Sequence, residues 1–266
     1  MSIDPRFAGL DRLYGAGSVA SLAQSRVLIV GLGGVGSWTA EALARSGVGA
    51  LGLLDGDEIC LTNVNRQLQA LSSTVGKGKA EVLANRLSEI NPNARIEPFA
   101  DFLTPSTLDQ WLGRGWDLVI DAADAFRVKV ETVAYCRRRK QDLVVVGSAG
   151  GRVDPTLIRR RDLSRTEHDA LLALVRKKLR ADHAFPRNQD RYFGIPAIYS
   201  LENVRYPQAD GSVCGLRPAA GGDGKLGCEG GLGASTMVTA SFGMLAASVA
   251  VERLLAGRPA TTGDET

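Results

Sequence analysis

The chain has 266 residues, of which 44% are hydrophobic and 23% charged, a balance that excludes a disordered chain and fits one large domain or a domain with a substantial extension. The formal net charge of +3 is unevenly spread: residues 1–135 are net acidic, and residues 136–266 net basic through runs at 137–140, 159–161 and 176–180. A polyanionic substrate and an ordinary solvated surface both account for that bias. The four cysteines, Cys60, Cys136, Cys214 and Cys228, form no CxxC pair, so their spacing gives no structural zinc. The first ten residues hold no long apolar stretch, which together with the cysteines predicts reduced thiols in a cytoplasmic protein.

In chain order, the branched run RVLIV at 26–30 leads straight into GLGGVG and a helical pattern at 38–46. A second strand at 50–54 ends at Asp55. A helix at 77–90, a strand at 95–100, a short helix at 105–112, a strand at 118–121, a helix at 129–139 and an apolar strand at 143–146 follow. Strands apolar on both faces, alternating with amphipathic helices, predict an α/β fold: a doubly wound, mostly parallel, Rossmann-like sheet.

Past Gly151 the pattern changes. Residues 152–161 read as antiparallel strand and 167–179 as a basic amphipathic helix. Residues 183–230 are rich in turns and read as a lid or a peripheral excursion. A helix at 234–255 is expected to pack back on the sheet. The chain is thus expected to be one domain over 1–266, with a nucleotide-binding core at 20–150 and a basic extension at 151–266. No charge interrupts residues 230–251, a length that could cross a bilayer. Its small residues favour a buried helix, with weak membrane association as the alternative.

Gly31, Gly33 and Gly36 lie between a strand and a helix, where a tight turn and free helix N–H groups suit a phosphate. Asp55, ending the next strand, suits ribose hydroxyls. By themselves these features fit NAD, FAD or ATP. Beyond them come Asp57, Asn63, Asn65, Arg66, Gln67, Lys77 and Lys79. The arginine and lysines of this set suit a triphosphate attacked at its α-phosphorus, where developing charge must be met by fixed cations. Asp121 and Asp124 follow the strand at 118–121. Either could hold Mg2+ or cap the next helix, and Asp121 could also serve as a strand-end acceptor.

The segments RVLIVGLGGVGSW, LLDGDEICLTNVNRQ, VGKGKAE and VIDAADAFRVK resemble the ThiF/MoeB/HesA superfamily, relatives of the ubiquitin-activating E1 enzymes. The resemblance implies an E1/ThiF adenylation fold with a C-terminal antiparallel extension. It assigns Gly31, Gly33, Gly34 and Gly36 to the phosphate loop and Asp55 to ribose. It assigns Asn63, Arg66 and Lys79 to the triphosphate, and Asp124 to Mg2+. The segments RLYG, AYCRRR, GSAGGRVDPT, VRYPQADGSVC and GASTMVTASFG are similar to the tRNA threonylcarbamoyladenosine dehydratase branch. That branch implies ATP-dependent cyclisation at adenosine 37 of tRNA: adenylation of the threonyl carboxylate, attack by an internal nitrogen, and no enzyme thioester. Also implied are a homodimer and tRNA, not DNA, as partner; a monovalent cation requirement stays open.

The sequence departs from the superfamily in two places. The zinc tetracysteine is absent. Gly9 stands where an arginine reaching the partner's site is usual, with Arg12 one turn on as its substitute or as a plain surface residue. Two other readings remain: activation of a ubiquitin-like or sulfur-carrier protein, in which Cys214 is the one thiol in a plausible loop position, and a nucleotide-binding scaffold for a sulfur-transfer partner. The full set of Asn63, Arg66, Lys79 and Asp124 argues against mere binding.

Overall fold

The computed structural model describes residues 4–188, 190–208, 210–215 and 232–256. Its organising element is a sheet whose central strand, β1 (Arg26–Val30), is buried on both faces. Val27 and Ile29 enter one core, Leu28 and Val30 the other. Burying one such side chain contributes about 1.5–3 kcal/mol, so a strand of this composition is stable only when covered on both sides.

The neighbours follow the same logic. β2 (Ala50–Leu54), β3 (Arg95–Phe99), β4 (Leu118–Asp121), β5 (Asp142–Val146), β6 (Ile158–Asp162) and β7 (Pro196–Ser200) complete a seven-stranded sheet in the order β3-β2-β1-β4-β5-β7-β6. All pairings are parallel except β6 on β7. The order reverses between β1 and β4, which opens a crevice at their carboxyl ends.

Helices α3 (Gly36–Arg45), α4 (Lys79–Ile90) and α8 (Thr236–Ala256) cover one face through Leu43, Leu83 and Phe242. Helices α5 (Leu108–Leu112), α6 (Phe126–Arg139) and α7 (Ala170–Asp182) cover the other through Trp111, Val133 and Leu172. Two short helices, α1 (Ala8–Tyr14) and α2 (Ser18–Ala23), precede β1. The buried carboxylate of Glu41 on α3 receives Arg86 of α4 at 2.9 Å and Arg45 at 2.7 Å, pinning the two helices together.

Several sequence expectations shift. Of 152–161 only β6 is strand, because Pro155 starts a 3-10 turn whose entry Asp154 secures by accepting the Thr156 N–H. The basic helix starts later, at Ala170, where the Asp169 carboxylate caps it by accepting the Leu172 N–H. The turn-rich stretch from 183 contains a real strand, β7, which lies between β5 and β6. Its proline occupies the first position, where a missing N–H is tolerated. A two-strand hairpin, β8 (Tyr206–Pro207) with β9 (Val213–Cys214), follows. Cys228 and much of the expected lid lie outside the described residues. Helix α8 is long and apolar enough to cross a membrane by length and composition, yet 56% of its most apolar window is buried inside the protein.

Candidate nucleotide site

The glycine loop joins β1 to α3 at the mouth of the crevice. Gly31 has a φ of +83°, and a side-chain carbon on it would lie 2.9 Å from the backbone of Ala123. A carbon on Gly36 would lie 1.8 Å from the Gly31 carbonyl oxygen. Both positions therefore need glycine for the fold itself. On Gly34 the carbon would press on Thr239 at 3.1 Å and on Arg66 at 3.3 Å. Gly33 differs: nothing stands nearer than the Gln67 amide nitrogen at 3.9 Å. Packing does not forbid a side chain there, and the shelf it leaves fits a phosphate approaching the backbone.

Asp55 closes the other side. One oxygen accepts the Leu32 N–H at 2.7 Å and the other the Asp57 N–H at 2.9 Å. This fixes the carboxylate while leaving each oxygen a lone pair for a hydroxyl. Asp57 is itself half-exposed and holds the Lys79 ammonium at 2.7 Å. Lys79 is the first residue of α4 and its side chain is largely buried.

Between them the chain makes a 3-10 turn, Leu61–Asn63. Asn63 is buried, and its side-chain oxygen accepts the Cys60 N–H at 3.1 Å, so its carbonyl group is committed to shaping the turn. Arg66 is half-buried; its guanidinium donates to the Thr62 carbonyl at 2.7 Å and to Asn65 at 3.0 Å. Its own carbonyl accepts the Trp38 indole N–H at 3.1 Å. Asn65 ties the turn to the start of α8 through the Ala234 carbonyl at 2.9 Å.

The carboxylates after β4 divide. Asp121 is buried and bound to the equally buried Lys129 at 2.7 Å, so it is an internal ion pair and offers the crevice no free carboxylate. Asp124 is exposed and has no hydrogen bond or ion pair among the described residues. It does not cap α6, whose N-cap is Ala125 with no side-chain bond. No group of three metal-ligating side chains occurs among the described residues. A hard cation such as Mg2+, however, is commonly held by one or two carboxylates plus substrate phosphates and water, and the free Asp124 fits that mode.

Arg12 lies exposed on α1 without a hydrogen bond or ion pair among the described residues. Cys136 is buried, and burial pushes its thiol up to about 12, which removes it from nucleophilic chemistry near neutral pH. The sequence reading missed the part of Trp38 and the start of α8 in holding the Arg66 turn. A tryptophan on a helix pattern carries no signal of that bond.

A doubly wound sheet with a glycine shelf, a fixed carboxylate and two basic side chains at its switch point defines a nucleotide-binding protein. The ThiF family pattern matches residues 8–261, and the chain belongs to the ThiF family. It is 45% identical over 251 residues to the tRNA threonylcarbamoyladenosine dehydratase of Escherichia coli, covering 94% of each chain. It is 44% identical over 252 residues to that of Haemophilus influenzae, covering 95% of this chain and 94% of the other. The solved structure of the Escherichia coli dehydratase in complex with ATP matches with a TM-score of 0.84 at 41% identity, over 97% of this chain and 98% of that one.

Proposed function

We propose that this chain is an ATP-dependent dehydratase that cyclises the threonylcarbamoyl group of N6-threonylcarbamoyladenosine at position 37 of tRNA. The observation that carries the reading is the open shelf at Gly33, next to Gly34 on which Arg66 packs, in a chain similar over nearly its whole length to such enzymes. When bound, ATP supplies the adenylyl group that makes the threonyl carboxylate reactive, so that an internal nitrogen closes the ring with release of AMP and pyrophosphate and net loss of water.

The chain's own residues do the rest. The loop of Gly31, Gly33, Gly34 and Gly36 receives phosphate at the start of α3. Asp55, held by two backbone N–H groups, orients the ribose. Arg66, Lys79 and the Asn63 turn face the phosphates, and their fixed charge meets the charge that develops on departing pyrophosphate. Asp124 would hold Mg2+, which screens phosphate charge. Asp57 keeps the Lys79 ammonium in place before nucleotide arrives. The second half of the chain, with exposed arginines at 159–161 on β6 and at 137–139 on α6, supplies the surface for the tRNA backbone. The working assembly is a cytoplasmic homodimer in which Arg12 reaches the partner's site. The whole chain acts as one unit, residues 20–150 binding nucleotide and 151–266 covering the substrate.

The test is AMP release from ATP with Mg2+ in the presence of tRNA carrying the threonylcarbamoyl group. AMP should form with that tRNA and not with the same tRNA lacking the group. AMP formation driven instead by a sulfur-carrier protein would overturn the reading.

A further inference from the structure

One buried charge pair beside the crevice has no part in the assignments above. Asp121 ends β4, Lys129 lies in the first turn of α6, and their side chains are 2% and 0% exposed. The ammonium donates to the Asp121 carboxylate at 2.7 Å and also to the Asp121 carbonyl at 3.0 Å. The same carboxylate oxygen accepts the Ala123 N–H at 3.2 Å. The other carboxylate oxygen is buried without a hydrogen-bond partner among the described residues.

Such a pair is a poor source of stability, because desolvation offsets most of the attraction and apolar side chains of similar volume would serve as well. Its effect is geometric. Lys129 holds the last peptide and the last side chain of β4 from inside the helix that follows, and so joins the two ends of the turn at 122–125. The other side of that turn rests on the glycine loop. The Ala122 N–H donates to the Val30 carbonyl at 2.9 Å, and Ala123 sits where only a glycine at position 31 leaves room. Asp124 stands exposed on this turn.

We propose that Lys129 is a positioning residue: through Asp121 it clamps the turn against the glycine loop and so places Asp124 for the Mg2+ that accompanies the ATP phosphates. The proposal rests on the reading of Asp124 given above. Residues that orient a metal ligand typically cost about 10–100-fold in metal affinity when replaced. K129M alone would leave an unpaired buried carboxylate that repels phosphate directly. The informative variant is therefore D121N/K129M, which removes both charges and keeps the volume.

Calorimetric titration of the full chain with ATP, with saturating Mg2+ and with EDTA, gives the readout. D121N/K129M should weaken binding about tenfold or more with Mg2+ and leave binding in EDTA close to that of the unaltered protein. In a D124N background the same double substitution should add nothing, because both act through one ligand. If D121N/K129M does not fold, D121N/K129Q, which likewise leaves no lone buried charge and keeps a polar pair, should show the same Mg2+-specific loss. Equal losses with Mg2+ and with EDTA, or effects that add to those of D124N, would overturn the clamp. A normal Mg2+ response in D124N would overturn the reading of Asp124 and the proposal with it. A D124N loss without a D121N/K129M loss would overturn the proposal alone.

Discussion

Gly36 and Gly31 are locked together: a single carbon added to the first would lie 1.8 Å from the carbonyl oxygen of the second. Gly33, between them, has no such constraint. G36A should therefore fail to fold or lose about 4 kcal/mol or more of stability. G33A should melt close to the unaltered protein while binding ATP at least about tenfold more weakly, the added methyl filling space the phosphates need. Thermal melts and ATP calorimetry on both variants separate the two roles. A G33A protein that keeps its ATP affinity would remove the shelf from the site.

R66A and K79A should lower the rate of the chemical step far more than they weaken tRNA binding. Removing one fixed donor at a site of developing charge costs about 3 kcal/mol, on the order of a hundredfold in rate. K79A leaves Asp57 without its partner, but Asp57 is half-exposed, so stability should change little. Neutralising 137–140 should do the reverse. These residues lie at the end of α6 away from the crevice, about 20 Å along the helix at 1.5 Å per residue. Their loss should weaken tRNA binding in a salt-dependent way and spare turnover at saturating tRNA. Single-turnover rates and filter-binding affinities at matched salt give the comparison.

C214A should retain most tRNA-dependent ATP consumption, since on the proposed route the attacking nitrogen belongs to the substrate and no thioester is needed. Complete loss of turnover in a folded C214A protein would indicate covalent catalysis and favour carrier-protein activation.

The legible part of the fold was the part set by local composition. Strands β1, β2 and β4 are covered on both faces, so each reads as an unbroken apolar run. Strand β7 was not legible. It opens with Pro196 among turn residues, and its burial comes from lying between β5 and β6, neighbours that only the folded chain provides. The site divides in the same way. Asp55 and Gly31 follow directly on strand ends, where spacing proposes them, whereas the part given to Lys79 enters through the family resemblance. Lys129 reads as an ordinary helix-surface cation, and nothing local reveals that it is fully buried against Asp121. For the same reason Asp121 looked like a crevice acceptor, although the fold turns its charge inward.

Glu41 supplies a pH test remote from the site. Burial opposes its ionisation, but Arg86 and Arg45 outweigh that and hold its carboxyl below the ordinary value. A carboxyl lowered in the folded state contributes stability that is present above the unfolded-state pKa, near 4.5, and is lost as pH falls through the folded-state value. E41Q should therefore destabilise the protein at pH 7 by about 1–3 kcal/mol. The gap to the unaltered protein should close as pH drops below the carboxylate range. Urea melts across pH 3–7 check it, and a gap that widens toward acid would contradict the assignment.

The most direct measurement of the central claim is nucleoside mass analysis of tRNA bearing N6-threonylcarbamoyladenosine after incubation with the protein, with and without ATP. The account predicts that the modified adenosine loses the mass of one water in the presence of ATP and Mg2+, and is unchanged when ATP is omitted. An unchanged nucleoside mass with ATP present, from a protein shown to bind ATP, would contradict it.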